Sequence, residues 1–170
     1  MRAAILLLLS ALAVASPGRA AEPSEYQLKA AVLYNFALFT DWPEDVGSTL
    51  KLCVHGSDPF GPELDELQGK AVHQRHISVE RKAAPYTLRS CQIVFISRSS
   101  ADLLPDTLQR LQGTPALTVA ESAGATAQGV MLNLDVSASK ITFSANVKAA
   151  QQARLTLSSK LLKLATEVVR

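Results

Sequence analysis

The stretch at residues 92–96 constrains the fold most, because apolar side chains follow one another there over the length of a strand. A strand with one face in water alternates apolar and polar residues, whereas an uninterrupted run is typical of a strand covered on both faces. Ile93, Val94, Phe95 and Ile96 form such a run. The run predicts a central strand of a sheet that has helices on both sides.

The segments around this run alternate between two periodicities. Helix-like spacing of apolar residues occurs at residues 25–39, 62–67 and 103–111, and strand-like runs occur at residues 50–54, 76–81 and 116–119. This order favours a single-domain α/β fold, in which a sheet with parallel strand pairs is flanked by helices.

The first predicted helix, at residues 25–39, is apolar nearly all round, which predicts that it is buried. Asn35 is expected to find a hydrogen-bond partner inside the protein for the same reason. Pro43 is expected to end the helix. The neighbouring Trp42 is interpreted as a core residue, with a partly exposed anchor for a partner as the alternative.

The end of the chain has a different pattern. Strand-like segments at residues 130–136 and 140–147 flank a Ser-Ala-Ser turn, which predicts a β-hairpin. Apolar residues then recur at three- and four-residue steps over residues 150–168, which predicts a C-terminal helical stretch. Ser158 is a candidate N-cap for a second helix after a break near residues 155–157.

Residues 1–20 have the features of a secretory signal peptide. Arg2 precedes an apolar run at residues 3–15, and small residues precede the expected cleavage site. The run is shorter than the roughly 18–20 residues that span a bilayer, which argues against an uncleaved membrane anchor. We therefore expect export to the periplasm or beyond, and a mature domain at residues 21–170 without a transmembrane segment.

The chain has two cysteines, Cys53 and Cys91. An even number in an oxidising compartment favours a disulfide, which is expected to be structural because a C-x-x-C motif is absent. The alternative is a pair of buried free thiols. Cys53 comes late in its predicted strand and Cys91 precedes its own, so a bridge between parallel neighbours requires a staggered register.

A turn at residues 56–61, Gly-Ser-Asp-Pro-Phe-Gly, follows the first predicted strand. It lacks the Lys and Ser/Thr of a phosphate loop and the glycine spacing of a dinucleotide fingerprint, which disfavours nucleotide binding. One interpretation is structural, with Asp58 bonding backbone N–H groups of the turn. The other places Asp58 and Phe60 at a partner- or ligand-binding site, because ligands of open α/β sheets bind beyond the carboxyl ends of strands.

No catalytic or metal-binding motif is recognisable in the sequence. His73 and His76 lie at the start of a predicted strand, where their odd spacing points them to opposite faces. A Gly-x-Ser-x-Gly elbow is absent. Loss of Arg2 and Arg19 with the signal peptide lowers the formal net charge from +2 to zero, which does not favour nucleic-acid binding. We expect no catalytic residue, no metal and no cofactor, and hence a protein that is not an enzyme.

Several stretches, in order along the chain, resemble the YfiR-like family of periplasmic regulatory proteins. They are KAAVLYNFALFTDWP at residues 29–43, LKLCVHGSDPFG at 50–61, SCQIVFIS at 90–97, GVMLNL at 129–134, FSAN at 143–146 and LSSKLLKLA at 157–165.

The resemblance implies a periplasmic repressor. It would bind the periplasmic sensor region of an inner-membrane diguanylate cyclase and keep cyclic-di-GMP low, and with it exopolysaccharide and biofilm formation. It also implies the capacity to form a homodimer and a bridge between Cys53 and Cys91, which match the family's cysteines on the corresponding strands. The namesake has a further, closely spaced cysteine pair that this chain lacks.

Two alternatives to a cyclase repressor stay open. One is a small-ligand-binding protein of the envelope, with the turn at residues 58–60 as the mouth of its site. The other is a sensory accessory protein that acts on a different membrane sensor.

Overall fold

The computed structural model describes residues 22–81, 86–137 and 140–170. The predicted signal peptide at residues 1–20 and the middle of the predicted hairpin turn lie outside the described residues. The α-helices are α1 (Glu25–Leu38), α2 (Leu104–Leu111), α3 (Val147–Gln152) and α4 (Ser159–Leu162), and 3-10 helices occupy Gly61–Leu67, Leu88–Ser90 and Arg98–Leu103. The strands are β1 (Thr40–Asp41), β2 (Thr49–His55), β3 (Ala71–Val72), β4 (Arg75–Glu80), β5 (Ile93–Ile96), β6 (Leu117–Ala120), β7 (Leu132–Ser137), β8 (Lys140–Asn146), β9 (Thr156–Leu157) and β10 (Glu167–Val169).

The main sheet has the strand order β10-β8-β7-β6-β5-β2-β4-β3. The pairs from β4 through β2, β5 and β6 to β7 are parallel, and so is the pair β10–β8. The pairs β7–β8 and β3–β4 are antiparallel. The predicted class, an α/β sheet with parallel pairs, flanking helices and a C-terminal hairpin, is confirmed.

Strand β5 is covered on both faces, as its continuous apolar run predicts. Ile93 and Phe95 belong to the larger core, which also contains α1 and the 3-10 helix Gly61–Leu67. Val94 and Ile96 belong to a smaller core on the opposite face, together with α2. Because side chains alternate along a strand, one uninterrupted apolar segment supplies both cores.

Helix α1 begins with a capping box and is buried on one side only. The Ser24 hydroxyl accepts a hydrogen bond from the Gln27 backbone N–H, and the Gln27 side chain accepts one from the Ser24 N–H. Leu33 and Phe36 are buried, whereas Asn35 is exposed. The prediction of a helix buried all round, with an internal partner for Asn35, is therefore wrong: water covers one side of α1.

Trp42 follows the end of α1 and is 9% exposed, so its interpretation as a core residue is confirmed. Its indole nitrogen is buried without a hydrogen-bond partner in the described part of the chain. The ring contributes apolar area to the larger core.

The C-terminal segment is not one long helix. Helix α3 ends at Gln152, Arg154 adopts a positive φ of 61°, and β9 pairs antiparallel with β1. Ser158 then caps α4 by accepting a hydrogen bond from the Leu161 N–H, which confirms the predicted break and cap. Beyond α4 the chain forms β10 instead of continuing as a helix, because this segment completes the edge of the main sheet beside β8.

A disulfide joins Cys53 on β2 to Cys91, with the Cα atoms 6.0 Å apart. The expected stagger is present, because β5 begins beside Leu52 instead of beside the first residue of β2. Cys91 lies just after the 3-10 helix Leu88–Ser90 and outside the strand, in the smaller core. The bond closes a loop with a sequence separation of 38 residues, for which chain entropy predicts a stabilisation of about 4 kcal/mol.

No helix in the described ranges combines the length and the apolar character needed to cross a bilayer.

Candidate functional site

The candidate site lies at the carboxyl ends of three parallel strands, β2, β5 and β6. After β2 the chain enters the 3-10 helix Gly61–Leu67, which packs in the larger core. After β5 it enters the segment that leads to α2, on the opposite face of the sheet. Connections that leave neighbouring strands toward opposite faces open a crevice between them, and open α/β sheets bind ligands in that crevice.

A cavity of about 240 Å³ occupies this position and is called the switch-point cavity below. The first turns of α1 form one wall, and the residues that follow the three strands form the other. The lining residues are Glu25, Tyr26, Lys29, Ser57, Pro59, Phe95, Ser97, Arg98, Ser99 and Glu121.

A buried ion pair joins the two walls. The Lys29 ammonium lies 2.9 Å from each carboxylate oxygen of Glu121, and the side chains are 2% and 7% exposed. Lys29 also lies 2.5 Å from a carboxylate oxygen of Glu25 one helical turn earlier. Burial opposes the charged form of Lys29 and is the largest single influence, but the bonds to Glu25 and Glu121 together outweigh it and raise the Lys29 pKa above 10.5.

Arg98 lies at the mouth of the cavity and binds the same carboxylate from outside. Its Nη2 is 2.7 Å from Glu121 Oε1, and its Nε donates to the Glu121 backbone carbonyl at 3.3 Å. The Arg98 side chain is 70% exposed. Glu121 therefore bridges a buried cation and an accessible one.

Serine hydroxyls meet at the turn that follows β2. The Ser97 and Ser99 hydroxyls are 2.8 Å apart, and Ser99 Oγ accepts a hydrogen bond from the Ser57 N–H. Gly56 has a φ of +96°, and a Cβ there would lie 2.4 Å from the hydroxyl oxygens of Ser97 and Ser100. Only glycine fits this position, because both the backbone conformation and the close approach exclude a side chain.

The described residues of this site show no assembled nucleophile. The described hydrogen bonds link Ser97 and Ser99 to each other and to a backbone N–H, not to a histidine or a carboxylate. His55, at the end of β2, is 5% exposed, and burial lowers its pKa below the usual value of 6.5. Across the described residues no cluster of three or more His, Cys, Asp and Glu side chains could hold a metal ion.

The residues singled out in the turn lie beside the cavity. Asp58 accepts a hydrogen bond from the Phe60 N–H at 2.8 Å and pairs with Arg81 at 2.5 Å. Phe60 is 2% exposed, and its ring centroid lies 4.8 Å from that of Phe95 and 6.3 Å from that of Tyr26. Phe60 thus supports two residues of the cavity wall from behind. Roles of Asp58 and Phe60 in binding stay predictions.

Sequence reasoning missed the charged residues of the site, which are Lys29, Arg98 and Glu121. A signal was available for two of them: Arg98 comes two residues after β5, and Glu121 directly follows β6. Charged residues just beyond the carboxyl ends of buried parallel strands converge at one edge of the sheet. Lys29 has only a weaker signal, because a lysine near the start of a helix is ordinarily solvated.

A second surface, the apolar groove, lies along the later part of α1. It has a volume of about 440 Å³. Its apolar lining residues are Val32, Phe36 and Phe39 from α1 and its end, Ile141 and Phe143 from β8, Leu161 from α4 and Leu164 just beyond it. Leu164 is 69% exposed. The groove is therefore an accessible apolar surface of the kind that suits protein recognition.

The sequence profile of a protein family described as YfiR/HmsC-like matches residues 26–166. The match runs from the second residue of α1 to the residue before β10, so it includes the whole apolar groove and every lining residue of the switch-point cavity except Glu25.

Two solved structures have a similar fold. One is a conserved domain protein from Vibrio cholerae O1 biovar El Tor strain N16961, and the other is an ABC domain from Streptococcus pneumoniae in complex with L-Trp. Each has a TM-score of 0.54 and 10% sequence identity, and each match covers 85% of this chain and 60% of the other. This chain thus spans less than two thirds of either relative, and at this identity the likeness shows the fold alone.

Proposed function

The chain belongs to the YfiR/HmsC-like family, and from that premise we propose that it represses a membrane diguanylate cyclase by binding its periplasmic sensor region. The family consists of periplasmic regulators of diguanylate cyclase signalling and is regulatory rather than catalytic. The match over residues 26–166 is the observation that carries the proposal. Repression lowers cyclic-di-GMP and, with it, exopolysaccharide and biofilm output.

The mechanism is differential binding. A repressor that binds the inactive conformation of the sensor region more tightly than the active one shifts the population toward the inactive state. Its effect is limited by the ratio of the two affinities. No chemical step in the repressor is required.

The apolar groove is the proposed contact surface for the sensor region. Interface cores are depleted of charge and anchored by large apolar side chains. The groove supplies Phe39 and the exposed Leu164 between α1 and the C-terminal segment. The same surface would serve a homodimer, so self-association and sensor binding are proposed to compete.

The test combines deletion with direct binding. We expect cyclic-di-GMP to rise when the gene is deleted and to fall again when the exported protein is restored. We also expect the purified protein to retain the periplasmic domain of the cyclase in a pull-down, with a periplasmic domain from an unrelated sensor as the control. Unchanged cyclic-di-GMP together with no retention would contradict the proposal and favour a different membrane sensor.

A further inference from the structure

The switch-point cavity presents hydrogen-bond donors that the protein does not use. Glu121 has little acceptor capacity left, because Oε1 accepts from both Lys29 and Arg98 and Oε2 accepts from Lys29. Arg98 uses its Nε and Nη2 for these contacts, and its Nη1 has no hydrogen-bond partner among the described residues. Arg98 lines the cavity, and its Nη1 therefore keeps N–H groups that a bound molecule can use.

The serines add one further donor. Ser97 and Ser99 share a single hydrogen bond of 2.8 Å, which uses one of their two hydroxyl hydrogens whichever residue donates it. The second hydrogen has no acceptor among the described side chains. Since both residues line the cavity, a bound molecule can accept it.

The rest of the cavity is apolar and small. Its apolar lining residues are Tyr26, which is 39% exposed, Pro59 and the buried Phe95. At roughly 30 Å³ for each water molecule, a volume of about 240 Å³ has room for a small organic molecule but not for a folded peptide segment.

We propose that the switch-point cavity binds a small organic carboxylate, whose two oxygens accept hydrogen bonds from Arg98 and from the Ser97–Ser99 pair while its apolar part lies against Tyr26 and Phe95. A planar carboxylate matches the fork of a guanidinium better than a point charge does.

The charges around the cavity favour a carboxylate over a phosphate. Glu25 and Glu121 are balanced by Lys29 and Arg98, so the lining has no net formal charge. A phosphate group carries about two negative charges near neutral pH. A lining without net charge does not offset the larger desolvation cost of the second negative charge, so it suits a singly charged ligand better.

The experiment titrates the protein, purified after export, with propionate and benzoate, and separately with inorganic phosphate. Binding is followed by calorimetry and by the rise of the thermal midpoint with ligand concentration. We expect both carboxylates to bind and phosphate to bind at least about tenfold more weakly. Equal or tighter binding of phosphate, or no binding of either carboxylate at millimolar concentration, would overturn the proposal.

A second arm distinguishes the two sources of a carboxylate, free organic acids and amino acids, by comparing propionate with alanine. The alanine ammonium would approach Glu25, which is 49% exposed. Tighter binding of alanine assigns the site to amino acids, and tighter binding of propionate assigns it to organic acids. Either result supports the carboxylate site, and failure of both overturns it.

The variant Arg98→Gln tests the assigned contact. It removes the guanidinium but leaves the pair between Lys29 and Glu121, and we expect carboxylate affinity to fall about tenfold or more. Arg154→Gln is the matched control, because Arg154 is also exposed and ion-paired, with Asp45, outside the cavity lining. Arg98→Lys should fall between the two, since it keeps the charge and loses the fork. Equal affinity in all three variants would overturn the proposal.

Ser97→Ala is the second variant, which keeps the test decisive if Arg98→Gln does not fold. We expect a loss smaller than that of Arg98→Gln but larger than that of Ser90→Ala, whose hydroxyl bonds a backbone carbonyl away from the cavity. Binding is measured without any partner protein. A failure here therefore leaves the proposed repression of the cyclase untouched, and a failure of repression leaves the ligand site untouched.

Discussion

The two halves of helix α1 are held to the same sheet by opposite kinds of contact. The first half is attached by the buried pair between Lys29 and Glu121, in a polar cavity. The second half is attached by aromatic packing, where the Phe36 and Phe143 ring centroids lie 5.0 Å apart. The polar half is held by specific charged contacts, whereas the apolar half is held by packing and leaves part of its groove open. The first half of α1 thus holds a small set of charges in fixed positions, and the second half buries apolar surface.

The largest expected effect tests the apolar half. Phe36 is 1% exposed, so Phe36→Ala should lower the free energy of unfolding by about 3–5 kcal/mol, because it removes a buried ring and leaves a cavity. Denaturant unfolding measures this loss. Leu28→Ala on the same helix is the control. Leu28 is 40% exposed, so this variant should lose much less free energy of unfolding. A loss in Phe36→Ala no larger than that of the control would show that packing does not hold this half.

The next effect tests the polar half. Lys29→Met leaves the buried Glu121 carboxylate with Arg98 as its remaining cationic partner. We expect the free energy of unfolding to fall by about 3 kcal/mol. The double variant with Glu121→Leu should recover much of this loss, because it also removes the buried charge. Lys51→Met is the control: its pair with Glu80 is largely accessible and should be worth less than about 1 kcal/mol. A double variant as unstable as the single one would contradict an electrostatic origin.

The two halves should also differ in their response to pH. The Lys29 pKa is raised in the folded protein above the value of 10.5, so the folded state holds this proton more tightly than the unfolded state. The stabilisation is complete below about pH 10.5 and is lost as the pH rises through the folded pKa. Unfolding measured from pH 8 to pH 12 should show this loss in the wild type and in Phe36→Ala, but not in Lys29→Met. An identical alkaline profile in all three proteins would remove Lys29 as its cause.

The smallest expected change in stability lies in the open part of the groove. Leu164 is 69% exposed, so Leu164→Ser should change the free energy of unfolding by less than about 0.5 kcal/mol. We nevertheless expect it to weaken retention of the cyclase sensor region in a pull-down. Leu103→Ser is the matched control, since Leu103 is 49% exposed beside α2 and outside the groove. Equal retention of both variants would move the contact surface away from the groove.

Most of the sheet follows from local patterns, and the C-terminal segment does not. The run from Ile93 to Ile96 predicts a strand covered on both faces, and the strand lies between two cores. The three- and four-residue spacing over residues 150–168 is equally satisfied by two short helices and a strand. Pairing of β9 with β1 and of β10 with β8 decides between these outcomes, and both pairs join residues far apart in sequence.

The candidate site was predictable in position but not in composition. The rule for parallel sheets places a ligand crevice after β2, where a binding role for the turn at residues 56–61 was one of two interpretations. The ion pair of Lys29 and Glu121 joins residues separated by 92 positions, and no local pattern reports such a contact. The exposure of Asn35 was missed for a related reason. The apolar residues of a helix predict that its surface is buried, but they do not show whether other segments of the same chain bury every side of it.

The edges of the main sheet have a consequence for association. Its outermost strands, β3 and β10, span only Ala71–Val72 and Glu167–Val169, while the strands just inside them, β4 and β8, are longer. A long exposed edge offers a row of unpaired backbone groups on which another chain can add a strand, and natural proteins shorten their edges to prevent it. The two brief terminal strands therefore offer another chain little edge of their own, and strand addition is left to the part of β8 before Ser144, with which β10 does not pair.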